Sequence, residues 1–364
     1  MIKNPNYVFF SDCEGPISKN DNAFELSSKF IPDGEYFFTL LSKYDDVLAY
    51  VLKRPKYRAG YTLKMIAPFL KAYGVTDEKA KSFSKETLVL IPGVKETIKY
   101  VRSILSTYII STSYRQYISA VCEALDFPYQ NTRCTDLNLD KYSLKDYDCK
   151  ILSKNRDEIV SLPMIEVPEG ATSIKDLSER DINTLKVLDR IFWELTLNMP
   201  VRTIMINTEP LGGEGKAEAI RRIVRYLGLR LDNAIYVGDS VTDVDAMRLV
   251  KSNGGFSISF NGNKYAVQEA EVAIMSNDAL ITSILVEILI NHGRGILLDL
   301  LSNWNLYELS QFIDNDELRI TTEKKYEVDL PIVKPVMNNN VDSISKDSSE
   351  FRKTVKGERV GKLG

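Results

Sequence analysis

Asp12, Cys13 and Glu14 follow the apolar run Tyr7 to Phe10. Ser111, Thr112 and Ser113 follow Thr107 to Ile110 in the same way, and Asp239, Ser240 and then Asp243 follow Ala234 to Val237. Lys216 opens an amphipathic stretch that Gly228 ends. These residue types suit chemistry on a phosphate. Carboxylates gathered at one place repel each other unless a divalent cation sits among them, and oxygen ligands suit Mg²⁺. A lysine at a helix start adds to the anion affinity of the free backbone N–H groups there. Cation and lysine together offset the charge of an incoming phosphate. A carboxylate can attack phosphorus to give an aspartyl-phosphate, Ser111 can hydrogen-bond a phosphoryl oxygen, and a second carboxylate can protonate the leaving oxygen and later activate water.

Other chemistries find little support. His292 is the single histidine of 364 residues, which argues against a Ser-His-Asp triad and against histidine metal sites. Cys13, Cys122, Cys134 and Cys149 form no CxxC pair and read as free thiols of a reducing compartment. Cys13, between two acids, reads as a packing residue, because neighbouring carboxylates raise a thiol pKa. Gly212 to Lys216 superficially matches a P-loop, but Pro210 stands at its first glycine position and Ala217 where Ser or Thr is required. A net charge of −3 gives no global attraction to nucleic acid or anionic membrane. No signal peptide is visible in the polar start. The apolar stretch Ala279 to Leu301 carries Glu287, Asn291, His292, Arg294 and Asp299 and reads as a buried helix, with His292 ending it before Gly293.

The elements that must position these residues follow from periodicity. The three apolar runs read as buried strands, joined by two more at Gly255 to Phe260 and Val272 to Met275, and Val201 to Ile206 reads as a further strand. Helices are expected from Ile91 to Leu105, Gln116 to Leu125, Asp181 to Leu197 and Gly215 to Leu227, and several within Asn22 to Glu86. Strands alternating with helices imply a parallel sheet, and ligands of such sheets bind at the carboxyl ends of the strands, near the switch point. The polar clusters can therefore converge although they lie far apart in sequence. From about Thr322 the chain turns to Lys, Asn, Ser and Asp with little periodicity, and reads as a tail that is disordered or docks on a partner.

In this order the segments resemble the four motifs of the haloacid dehalogenase (HAD) superfamily. They are Val8-Phe-Phe-Ser-Asp-Cys-Glu-Gly-Pro16, Tyr108-Ile-Ile-Ser111, Gly215-Lys216 and Ile235-Tyr-Val-Gly-Asp-Ser-Val-Thr-Asp243. Phe260-Asn-Gly-Asn263 is similar to a loop of phosphoserine-phosphatase-like members. The resemblance implies Asp12 as nucleophile, Glu14 at the second acidic, catalytic position whose backbone carbonyl also binds Mg²⁺, and Ser111 and Lys216 on the phosphate. It also implies Asp239 as a metal ligand, with Asp243 supporting the metal directly or through water. The sequence departs from the motif by having Glu14 where Asp is usual and Pro16 where Thr is usual. Glu reaches about 1–1.5 Å further, and a displacement of about 1 Å can already slow a catalytic step.

The stretches Ser11 to Ser18, Asn20 to Glu25 and Tyr44 to Leu48 also resemble subunit R of the Eha-type energy-converting hydrogenases of methanogens, which implies an archaeal, cytoplasmic protein with a hydrogenase-complex partner. The expectation is a doubly wound parallel-sheet α/β core of the Rossmann-like HAD type at 1–17 and 85–321. It carries an insert at about 126–200 that is a second lid or a core extension, a helical cap at 18–84, and a polar tail at 322–364. The expected activity is Mg²⁺-dependent hydrolysis of a small phosphate monoester, with Glu25, Arg54 and Arg58 of the cap as candidate substrate readers. A weakly catalytic or non-catalytic subunit is the alternative.

Overall fold

Val8 and Phe10 point to one side of the strand they share and Phe9 to the other. All three are buried, so this strand needs cover on both faces. The computed structural model describes residues 6–168 and 170–357 and provides that cover. Seven strands, β1 (Val8–Ser11), β2 (Ser106–Tyr114), β3 (Thr132–Thr135), β4 (Ala234–Gly238), β5 (Phe256–Phe260), β6 (Val272–Met275) and β7 (Ile332–Pro335), form one sheet in the order β3-β2-β1-β4-β5-β6-β7. All neighbours are parallel except β6 and β7. The strand order reverses between β1 and β4, which is where a doubly wound sheet opens its binding crevice.

Along the chain the helices are α1 (Asn22–Phe30), α2 (Gly34–Asp46), α3 (Thr62–Ala72), α4 (Asp77–Thr87), α5 (Val94–Ile104), α6 (Arg115–Leu125), α7 (Asp146–Ser161) and α8 (Glu179–Asp189). They continue with α9 (Arg202–Asn207), α10 (Glu214–Tyr226), α11 (Val244–Ser252), α12 (Lys264–Glu269), α13 (Leu280–Ser302), α14 (Leu306–Gln311), α15 (Asp316–Lys325) and α16 (Val341–Lys356). Phe9, Ile109, Ile235 and Ile258 pack on one side of the sheet against Ile98, Ile118 and Ile281 of α5, α6 and α13. Val8, Phe10, Tyr108 and Tyr236 pack on the other side against Ile220 of α10 and Met247 of α11. Helix α13 is the buried helix expected from its composition, kinked at Gly293, where φ is 85° and ψ 168°.

A separate apolar cluster unites α1–α4 with α7–α9: Phe37 and Phe69 from the first group meet Leu152, Leu188 and Phe192 from the second. The region at 126–200 therefore contributes β3 to the sheet and otherwise builds a helical layer together with residues 22–87. A polar link reinforces the union: Tyr44 donates to Asp189, Trp193 donates to Tyr44 at 2.8 Å, and Arg54 pairs with Asp189 at 2.7 Å. Val201 to Ile206 is not a strand. Its buried positions Val201, Ile204 and Met205 follow helical spacing and place α9 in this layer.

The segment from 322 onward is likewise not irregular. It completes α15, adds β7 antiparallel to the sheet edge, and ends its described part in α16. The burial of Ile344, Ser348, Arg352 and Val355, at spacings of four, four and three, gives α16 one inward face in spite of its polar composition. Residues 358–364 of the expected tail lie outside the described residues.

Phe192 is fully buried, with its ring centroid 6.1 Å from that of Phe69 and 6.4 Å from that of Tyr44. Phe192→Ala should lower unfolding stability by about 3–5 kcal/mol in chemical denaturation. A loss below about 1 kcal/mol would mean that the two helical groups do not share a core.

Candidate active site

Parallel pairing sets the site. Ser11 lies opposite Ile109 on one side and Val237 on the other, so Asp12, Ser111 and Asp239 emerge at the same end of neighbouring strands. The Asp12 amide donates to the Val237 carbonyl at 2.8 Å, which ties the start of the first loop to β4. Gly15 has φ +127°, and a Cβ there would lie 2.2 Å from Cγ of Asp239, so only glycine lets the first loop pass this carboxylate. Gly238 is required for a similar reason, since its Cβ would fall 2.6 Å from Cγ of Asp243.

Lys216 is fully buried near the start of α10. Its Nζ lies 3.0 Å from Asp12 Oδ2 and 2.7 Å from Asp243 Oδ1. Burial works against the charged ammonium, but the carboxylates of Asp12 and Asp243 outweigh it and hold Lys216 above its usual pKa. Asp243 has both oxygens engaged. Oδ1 accepts from Tyr236 at 2.6 Å as well as from Lys216, and Oδ2 accepts from the Asp239 and Ser240 amides at 3.0 Å each. Burial disfavours its charge, but Lys216 and these donors keep it below the usual carboxylate range. Asp12 has fewer donors: the Cys13 amide reaches Oδ1 at 2.7 Å, and burial, then Asp243, push it up to about 7 against the pull of Lys216.

Asp12, Asp239 and Asp243 offer oxygen atoms that all lie within 4.8 Å of one another. Asp239 Oδ1 is buried and has no hydrogen-bond partner among the described residues. An unsatisfied carboxylate oxygen beside a second carboxylate fits a hard divalent cation. Asp12 and Asp239 are the residues that would hold it, while Asp243 orients Lys216 and the loop after β4.

The other expected residues fall as follows. Ser111 is buried and lines the same cavity as Asp12 and Asp239, its Oγ donating to Ser113 Oγ at 3.1 Å and accepting from the Ser113 amide at 3.2 Å. Glu14 also lines the cavity but stands outside the three-carboxylate cluster. Its Oε1 accepts from the Asn22 amide at 2.8 Å, at the start of α1. Burial, then Asp21, raise its pKa well above the usual value, which leaves a carboxyl able to carry a proton. Cys13 is buried in the apolar core, as its packing role requires, with its thiol pKa raised by burial, then by Glu14 and Asp12.

Glu25, Arg54 and Arg58 do not line the cavity. Glu25 accepts from Asn20, Arg54 is held by Asp189, and Arg58 lies 3.9 Å from Glu209. The helical layer instead contributes Ser42, Asp45, Asp46 and Thr62 to the cavity wall. Asp45 Oδ2 is fixed by the Gly60 and Thr62 amides at 2.8 and 3.3 Å. Two further cavity residues come from α16. Arg352 reaches Asp239 Oδ2 and donates to the Asp239 carbonyl at 3.1 Å, and Lys356 Nζ lies 2.8 Å from the same Oδ2. Sequence reading missed both. The signal was present: 344, 348, 352 and 355 share one helical face, and 356 stands one turn beyond 352.

No family model matches the chain, and no curated protein matches it. Solved structures do. Gene product AF1437 from Archaeoglobus fulgidus is similar at 25% identity with a TM-score of 0.79, over 99% of this chain and 99% of that one, so the match takes in α16. An apo phosphoserine phosphatase matches at 14% identity with a TM-score of 0.46, over 77% of this chain and 98% of that one. A HAD family hydrolase from Salmonella enterica serovar Typhi matches at 10% identity with a TM-score of 0.43, over 74% of this chain and 67% of that one. Among the described residues no helix is long and apolar enough to cross a membrane.

The raised pKa of Asp12 has a signed consequence. Between about pH 4 and pH 7 the folded state holds a proton on Asp12 that the unfolded state has released, so this group's contribution to stability falls as pH rises through that window. In cation-free buffer the denaturation midpoint of the wild type should decline across pH 4 to 7, and Asp12→Asn should flatten that decline. An unchanged slope in Asp12→Asn would refute the assignment.

Proposed function

We propose that the chain is a phosphate monoester hydrolase of the HAD type that works through an aspartyl-phosphate on Asp12, with Mg²⁺ as its cation. The observation that carries this reading is Asp12 itself: a buried carboxylate at the end of β1, 3.0 Å from the Lys216 ammonium and beside Asp239 across the switch point. Bound Mg²⁺ supplies charge neutralisation at the phosphoryl oxygens, held by Asp12 and Asp239.

The chain's own residues account for the remaining steps. Lys216 and Ser111 bind the phosphoryl oxygens. A carboxylate oxygen of Asp12 attacks phosphorus while the ester P–O bond breaks, and the leaving oxygen takes the proton that Glu14 carries. Water then attacks the phosphorus of the acyl phosphate and passes a proton to Glu14, which releases inorganic phosphate and restores Asp12. The helical layer closes over the cavity and limits water access, which favours a small substrate. Ser42, Asp46 and Thr62 on the wall favour one that presents polar groups to them. A cytoplasmic location agrees with four free cysteines. Association with a hydrogenase complex rests on the sequence resemblance alone.

Phosphate release from a panel of monoesters should depend on Mg²⁺ and fall at least about a thousandfold in Asp12→Asn. Glu14→Gln should lose about 10²–10⁴-fold on alkyl phosphates and much less on p-nitrophenyl phosphate, whose leaving group needs no proton. No turnover by folded wild type across a broad panel would overturn the hydrolase reading.

A further inference from the structure

Two cations of one helix meet one carboxylate oxygen of the candidate metal site. Arg352 and Lys356 both reach Asp239 Oδ2, and all three side chains are nearly solvent-free, at 5%, 6% and 1% exposure. The contact is part of a continuous seam. Ile344 packs with Val267 and Ala273, Ser348 Oγ donates to the Gly262 carbonyl at 2.7 Å, and Arg352 donates to the Asp239 carbonyl. Helix α16 is therefore docked on the loops that follow β4 and β5, at the catalytic end of the sheet.

We propose that α16 is the counter-ion helix of this site: Arg352 and Lys356 neutralise Asp239 until a divalent cation takes over, so that metal binding and docking of the last turns of α16 oppose each other. The proposal deepens the reading of Asp239 as a cation ligand and rests on it. A divalent ion on Asp239 Oδ1 would sit on the same carboxylate that already holds two positive charges. Repulsion in so dry a place is screened far less than at a surface. Without metal the reverse holds, since Asp239 left without Arg352 and Lys356 would be a buried charge without a partner. The geometry also allows partial release. Ile344 and Ser348 anchor the first half of α16, while both cations lie in its last two turns together with Val355 and Phe351. Lifting those turns gives up one apolar contact with the main core and the Asp239 pairing but leaves the first half docked. Linkage then requires reciprocity: whatever affinity α16 takes from the metal, the metal takes from the docking of α16.

The test uses the full chain and Mg²⁺ alone, with no substrate. Calorimetric titration should show Lys356→Met binding Mg²⁺ at least tenfold more tightly than wild type, with Lys356→Arg, which keeps the charge, close to wild type. Hydrogen exchange of the wild type should show Mg²⁺ lowering protection of the amides at 350–356 while those around Ile344 keep theirs. Chemical denaturation checks that both variants are folded. Equal or weaker Mg²⁺ binding by folded Lys356→Met would overturn the proposal, as would unchanged or increased protection at 350–356, or absence of Mg²⁺ binding in every variant. The hydrolase reading is judged apart, by phosphate release: a chain that shows the linkage but releases no phosphate keeps this proposal and loses that one.

Discussion

The buried Lys216 ammonium is the interaction on which the rest of the site depends. It lies within 3.0 Å of Asp12 and 2.7 Å of Asp243, and without it two carboxylates from different loops would face each other in a nearly water-free space. Removing one partner from such a cluster strands a buried charge, at a cost of about 3–5 kcal/mol. The backbone is shaped around this cluster. Gly238 has no Cβ because Asp243 packs against it, Gly213 donates to the Thr242 carbonyl at 2.9 Å to set the start of α10, and Gly15 lets the first loop pass Asp239. The parallel register of β1, β2 and β4 then does the long-range work of bringing residues 12, 111 and 239 to one cavity, with Lys216 and Asp243 packed behind Asp12.

The core elements were legible because their burial follows simple periods. Val8 to Phe10, Tyr108 to Ile110 and Ala234 to Val237 are apolar on both sides, as strands covered on both faces must be. Six polar positions named from sequence all line the cavity or touch those that do. Asp12 and Asp239 follow directly on strands, Glu14 and Asp243 lie in the turns just beyond them, Ser111 lies within the second half of β2, and Lys216 is in the first turn of α10. Legibility ended where packing between distant segments decides the outcome. The run at 201–206 has a composition that suits strand or helix, and its place in the layer with Phe69 and Phe192 selects helix. Arg54 was expected as a candidate substrate reader, but Asp189, 135 residues away, claims it.

The C-terminal region was illegible for a different reason. Its composition is that of a solvated segment, and only five buried positions on α16 say otherwise. The helix docks through Ile344, Ser348 and Val355 as well as through the charge at Asp239, and no local pattern around residue 352 reveals that charge. The whole-length match to the Archaeoglobus fulgidus structure, at 25% identity, shows that this C-terminal region has a counterpart within a similar architecture. Function and fold thus meet at one carboxylate, where a ligand position expected for a metal is also the docking point of the last described helix.

Covalent chemistry at Asp12 is what the proposed function requires above all. The most direct measurement is to incubate the protein with Mg²⁺ and a phosphate monoester, quench in acid, reduce with borohydride and map the product by peptide mass spectrometry. An acyl phosphate is reduced to an alcohol, so the account predicts homoserine in place of aspartate at position 12 and nowhere else. Homoserine at another carboxylate, or unmodified Asp12 under conditions in which phosphate is released, would contradict it.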